Sequence, residues 1–255
     1  MERYQPMLKQ ITFLRDRVVD WDSYPFAIPV LRDFSELVFR SHVTFFAGEN
    51  GTGKSTFLEA IAAHYGFGRE GGTRSFANDS TASNHSVDPL VKALRLSFDR
   101  RTGEGYFLRT ESFFNVASHI DELGVTRYYG GRSLHTRSHG ETFFTLLELR
   151  FQQDGLFLLD EPEAALSPQR QLAFLVLLHD ALRKCRDAQF IISTHSPILL
   201  GFPGAQIISF DGGRLHELEY EETEPLRIVR SFVNKREKML SELFQESTSL
   251  FDEAD

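Results

Sequence analysis

The chain has 255 residues, of which 41% are apolar and 25% charged, with one cysteine, Cys185, and a net charge of −8. That length accommodates one α/β domain with a sizeable core, and one cysteine excludes an intrachain disulfide, which suits a reducing cytosol. The negative charge argues against a generally basic nucleic-acid coat, and neither a transmembrane run nor an apolar leader at Met1 to Pro6 is visible, so a soluble cytoplasmic protein without direct membrane insertion is expected.

In chain order, short strands are expected at Ile11–Leu14, Phe26–Leu31, Leu37–Phe39 and Val43–Ala47, separated by turn residues and forming an antiparallel portion. Trp21, Tyr24 and Phe26 read as packing aromatics, with stacking on an adenine ring as the alternative. The fourth strand runs into Gly48-Glu49-Asn50-Gly51-Thr52-Gly53-Lys54-Ser55-Thr56, a full match to the phosphate-binding loop pattern, and a helix with apolar residues at helical spacing follows. Glycines let backbone N–H groups turn inward around an anion, and the helix N-terminus adds partial positive charge beneath it. Lys54 would reach the β- and γ-phosphates and the Ser55 hydroxyl would ligate Mg²⁺.

Gly66 to Asp88 is polar and glycine-punctuated, so it reads as a loop. Leu94–Phe98 and Gly105–Arg109 read as a strand pair around Arg101-Thr102-Gly103, and Val116–Leu123 as a short helix. Arginines at 95, 100, 101 and 109, and again at 127, 132 and 137, leave a local basic patch open beside the plainer reading of a solvated face. Ser138 with Glu141 three residues on forms a capping box that opens another helix. Leu156–Leu159 is wholly apolar, as in the middle of a parallel sheet, and ends in Asp160-Glu161. Ser167-Pro168 starts a helix with Leu172, Leu175, Val176, Leu178 and Leu182 as its expected buried stripe. Phe190–Ile192 is a further core strand, followed by Ser193-Thr194-His195-Ser196. Ile207–Phe210 and Leu215–Leu218 make a hairpin, and Glu224 to Gln245 an amphipathic helix or helix pair within an acidic tail, where residues 217–255 hold eleven acids against five bases.

Asp160, at a strand end, is placed to hold Mg²⁺, and Glu161 to orient or deprotonate the attacking water. His195, beyond a later strand, would hydrogen-bond the γ-phosphate. The order GENGTGKST (48–56), SHGET (138–142), LFLLDEPEAALS (156–167) and STHS (193–196) resembles an ABC-class ATPase, and among these the stand-alone AAA-family ATPases of the RecF/SMC-like branch. The resemblance implies an α/β P-loop NTPase fold of ABC type, with a mixed sheet core, an antiparallel β portion and a short helical signature lobe over 106–155 of a single domain. It implies ATP and Mg²⁺ as ligands. It also implies that Ser138 and Gly140 touch the γ-phosphate held by a partner copy, and that ATP drives homodimerisation. Ser167 stands where the D-loop usually has Asp, and the family's Q-loop Gln is absent, with Glu111 as the substitute metal-side residue and Arg109 its neighbour. The short stretch between Glu111 and Ser138 suits neither a transporter's docking lobe nor a long coiled coil. The function expected is therefore Mg-dependent ATP hydrolysis in DNA-associated repair or defence, and the alternative is a transporter's nucleotide-binding subunit.

Overall fold

The computed structural model describes residues 6–68, 71–73, 85–110 and 139–252. Six strands form the main sheet: β3 (Val43–Ala47), β5 (Gly105–Arg109), β6 (Gly155–Asp160), β7 (Ala188–Ser193), β8 (Gln206–Ser209) and β9 (His216–Leu218). Their spatial order is β5-β6-β7-β3-β8-β9, all parallel except the β8–β9 hairpin. A smaller antiparallel sheet has the order β2-β1-β4, from β1 (Leu8–Phe13), β2 (Glu36–Val38) and β4 (Leu94–Phe98).

The apolar strands of the sequence are buried on both faces, which is why they lack polar alternation. Along β6, Leu156 and Leu158 join one hydrophobic cluster while Phe157 and Leu159 join the other. The first cluster contains Phe57, Leu58 and Ile61 of α2 (Lys54–Tyr65). The second contains Phe143 and Leu147 of α4 (His139–Arg150) and Phe174 and Leu178 of α5 (Pro168–Lys184). Helices therefore cover both faces of one sheet. Two buried glutamines tie the sheets together. Gln189 accepts from the Leu8 N–H at 2.7 Å and donates to the Leu8 carbonyl at 3.1 Å. Gln206 does the same between Arg40 N–H and the Val38 carbonyl, both at 3.0 Å. Each amide thus meets backbone groups that would be costly to bury alone.

Four local expectations change. Phe26–Leu31 is not a strand: Pro29 starts α1 (Pro29–Asp33), the fixed proline φ suiting a helix's first position. Leu94–Phe98 and Gly105–Arg109 do not pair with each other, because β4 pairs with β1 and β5 runs parallel to β6. On α5 Leu178 is buried as expected, and Leu175 and Leu182 pack partly buried against the core, but Phe174 and Ala181 complete the buried face, whereas Leu172 and Val176 are 56% and 61% exposed. The expected Ser167 cap is present, accepting from Arg170 N–H, with Pro168 at the first helical position. His85–Val87 and α3 (Asp88–Ala93) take over the end of the expected loop. Within the expected lobe of 106–155, residues 106–109 belong to β5 and 139–150 to α4; the expected helix at 116–123 lies outside the described residues. The short α6 (Pro197–Leu200) follows β7 and the long α7 (Glu224–Asp252) follows β9.

Candidate functional site

The site lies where β3, β6 and β7 end side by side. The phosphate loop leaves β3 and closes on α2, and Gly48, Gly51 and Gly53 take φ of 139°, 81° and 101°. Gly53 has a second reason to lack a side chain: a Cβ there would lie 2.6 Å from Ile28 Cγ2. Asp211, beyond β8, accepts the Glu49 N–H at 2.8 Å and holds the loop from behind. Thr52 Oγ1 donates to the Glu49 carbonyl at 2.8 Å, and Asn50 is exposed at the loop's tip. Lys54 is 3% exposed and its Nζ donates to the Gly48 and Glu49 carbonyls at 2.6 and 2.7 Å. Burial lowers its pKa, against the charges of Glu161, Asp211, Asp160 and Glu163. The ammonium therefore sits among four carboxylates, each of which favours its charged form.

Ser55 Oγ donates to Asp160 Oδ1 at 2.9 Å across the gap between α2 and β6. Burial pushes the Asp160 carboxyl above its ordinary range, and the Ser55 hydroxyl and the Arg109 guanidinium partly offset that. A hydroxyl beside a desolvated carboxylate is an all-oxygen pair that fits Mg²⁺, which keeps few protein ligands and relies on phosphates and water for the rest. The described residues contain no cluster of three or more His, Cys, Asp or Glu that would form a self-contained metal cage.

Strand order explains the next contact. β7 lies between β3 and β6, so the segment after β7 falls between the phosphate loop and Glu161. His195 Nε2 lies 2.9 Å from Glu161 Oε1, with His195 and Glu161 side chains 32% and 38% exposed. Glu161 has φ 50° and ψ 54°, and it is the only non-glycine residue with positive φ among the described residues. Its backbone is fixed by three partners: its N–H donates to Ser193 O at 3.0 Å, and its carbonyl accepts from Thr110 Oγ1 at 2.9 Å and from Ala164 N–H at 3.1 Å. The turn aims the side chain back at His195 rather than along the strand.

Sequence reasoning did not single out Glu163, Thr110 or Asp211. Glu163 Oε1 accepts from Thr194 Oγ1 at 2.7 Å and from the His195 N–H at 2.6 Å, so it fixes the loop that carries the histidine. Burial raises the Glu163 pKa, partly offset by those donors. Its place two residues after Glu161 was the one available signal. Of the upstream aromatics, Phe26 is buried and Trp21 packs on the core, while Tyr24 is 52% exposed with its hydroxyl 3.1 Å from Thr56 Oγ1. Arg109 pairs with Glu59 at 3.3 Å and Arg100 with Asp187 at 3.3 Å, so these two arginines face acids rather than forming an open basic patch. Gly140 is in the first turn of α4; Ser138, Glu111 and Arg127, Arg132 and Arg137 lie outside the described residues.

A family model described as "AAA domain" matches residues 23–159, more than half of the chain. The chain belongs to this AAA-domain family. A second model, described as "AAA domain, putative AbiEii toxin, Type IV TA system", matches residues 141–201 of the AAA domain, through Asp160, Glu161 and His195. Its fold is the mixed α/β fold of P-loop ATPases, as the motifs led one to expect. Among solved structures, it is similar to "SMC head domain from Thermotoga maritima", at 17% identity and a TM-score of 0.43, over 84% of this chain and 99% of that one. It is also similar to one titled "RNase-L Inhibitor", at 16% identity and a TM-score of 0.47, over 85% of this chain and 40% of that one. No curated protein matches this chain in sequence. No helix among its described residues is long and apolar enough to cross a membrane.

Proposed function

We propose that this AAA domain binds ATP in the Gly48–Thr56 loop, hydrolyses it with Mg²⁺ and dimerises on ATP as a switch. The observation that carries the reading is the Glu161–His195 pair at 2.9 Å, beside Lys54 and the Ser55–Asp160 contact. Lys54 exchanges its two loop carbonyls for β- and γ-phosphate oxygens. Ser55 and Asp160 would hold Mg²⁺, which would supply neutralisation of phosphate charge. Glu161 takes the proton of the attacking water, and the His195 ring, steadied by Glu163 through its backbone N–H, donates from Nε2 to the carboxylate or the γ-phosphate. Ser138 and Gly140 of a second copy contact that γ-phosphate, the helix N-terminus favouring an anion there. We further propose that Glu111 takes the metal-side role of the absent Gln.

The output we favour is DNA-associated repair or defence. The defence half draws support from the description of the second family model. DNA-stimulated turnover with a steep salt dependence supports the DNA half, and turnover indifferent to DNA removes it. The test of the catalytic reading is Glu161→Gln, which keeps the shape and loses the base. Turnover should fall by about 10²–10⁴-fold while Mg-ATP binding persists and a dimer accumulates by light scattering. Wild-type turnover in this variant removes Glu161 from the chemistry.

A further inference from the structure

One buried hydroxyl lies against the candidate metal site and has no task in the proposed hydrolysis. Ser193, the last residue of β7, is fully buried, and its Oγ completes no hydrogen bond among the described residues. Register places it. Leu158 and Ile191 are partners across β6 and β7 and both join the first hydrophobic cluster, while the next pair, Leu159 and Ile192, joins the second. One step further Asp160 partners Ser193, so both side chains return to the first face, the one that α2 covers. Phe46, the partner of Ser193 on β3, is on that face too. Ser193 therefore sits beneath the start of α2, beside the carboxylate that Ser55 reaches from the helix.

The backbone of Ser193 is held from both sides. Its carbonyl accepts the Glu161 N–H at 3.0 Å beside β6, and the next residue, Thr194, donates its N–H to the Phe46 carbonyl at 3.1 Å beside β3. The freedom left is rotation of the side chain. The other polar residue on this face of β7, Gln189, bonds Leu8 with both ends of its amide. Ser193 Oγ instead lies near enough to the Asp160 carboxyl to favour its charged form, as Ser55 does, without closing a full hydrogen bond. A hydroxyl buried unpaired is destabilising, and a bond completed in the loaded state accounts for its presence. We propose that Ser193 is a positioning residue whose hydroxyl donates to Asp160 once Mg²⁺ and nucleotide are bound, fixing that carboxylate toward the metal. This rests on the reading that Asp160 serves Mg²⁺. Outer partners that orient a metal's carboxylate strengthen metal binding without touching the ion. Thr44 gives the contrast: its Oγ1 is also buried without a partner, but it lies in mid-β3, in register with Ile191 and Gln206, neither of them charged.

The test compares affinity for a fluorescent, non-hydrolysable ATP analogue in Mg²⁺ and in EDTA, together with melting in EDTA without nucleotide. Mg²⁺ should tighten binding to the wild type. Ser193→Ala should cut that tightening by about tenfold or more, as expected for a lost hydrogen bond to a charged group. Its affinity in EDTA should be unchanged and its melting no lower than the wild type's, since what is lost there is an unpaired hydroxyl. Ser193→Cys, close in shape but a weak donor, should behave as Ser193→Ala. Thr44→Val should leave the tightening intact. In an Asp160→Asn background, Ser193→Ala should change the tightening by no more than about twofold, because it acts through that carboxylate. Tightening that is equal in the wild type and Ser193→Ala overturns the proposal and leaves the metal reading standing. Lower melting of Ser193→Ala in EDTA with its tightening intact makes the hydroxyl structural and overturns the proposal as well. Binding to the wild type that ignores Mg²⁺ overturns the metal reading itself, and the role of Ser193 with it.

Discussion

Glu161→Gly should stabilise the nucleotide-free protein while abolishing turnover. A residue with a Cβ held at φ 50° and ψ 54° costs about 1–2 kcal/mol relative to right-handed backbone. The contacts that impose this conformation come from Ser193 O, Thr110 Oγ1 and Ala164 N–H, all to the backbone of residue 161, so they survive any side-chain change. The side chain is 38% exposed, and its bond to His195 is screened, so little stability is lost with it. Glycine relieves the strain but gives back about 0.4–1 kcal/mol through the greater freedom of the unfolded chain. At mid-range the net gain is about 0.8 kcal/mol, or a rise of roughly 2–3 °C in melting temperature for a chain of this size. Glu161→Ala keeps the Cβ and should fall below Glu161→Gly by a similar amount. Urea unfolding of the three proteins without nucleotide, at equal m-values, measures this. If the glycine variant is no more stable than the alanine variant, the left-handed turn stores no strain and the reasoning fails.

The buried carboxylates make stability depend on pH. Burial raises Asp160 and Glu163 above their ordinary 3.8 and 4.5, so the folded chain binds more protons there than the unfolded one. Their contribution to nucleotide-free stability is therefore largest at low pH and declines as pH rises from those ordinary values through the raised folded ones. Asp160→Asn should flatten that decline and raise the melting temperature in EDTA, while losing the stabilisation that Mg-ATP gives the wild type. Melting curves against pH that run parallel for the two proteins would count against a desolvated Asp160. Gly53→Ala should abolish nucleotide binding and cost about 1–3 kcal/mol, since φ is 101° and the new Cβ would meet Ile28 Cγ2 at 2.6 Å. Gly51→Ala, with no atom within 4 Å of its Cβ, should cost less, and fluorescent-nucleotide titration with thermal melts ranks the two.

The residues we propose to bind phosphate and metal were legible because local chemistry sets them. Gly48 to Ser55 requires backbone that only glycines supply cheaply, and the apolar run ending in Asp160 reads as a strand buried on both faces. The Ser167 cap and Pro168 start were legible for the same reason, since a cap acts within one turn. Other features had no local cause. Phe26–Leu31 has strand-like composition, and Pro29 together with packing beside Gly53 made it a turn and a helix. The leucine-rich α5 offers more than one apolar face, and only its seat on the sheet chose Phe174, Leu178 and Ala181 over Leu172 and Val176. Asp211 reaches Glu49 across 162 positions of sequence, and Glu163 acts only because β7 lies between β3 and β6. Short-range sterics and hydrogen bonding are written in the order of residues, whereas strand order and helix seating follow from burying the whole apolar surface at once. The sequence by itself thus determined which groups are offered to a phosphate, and the tertiary structure alone decided which groups hold them in position.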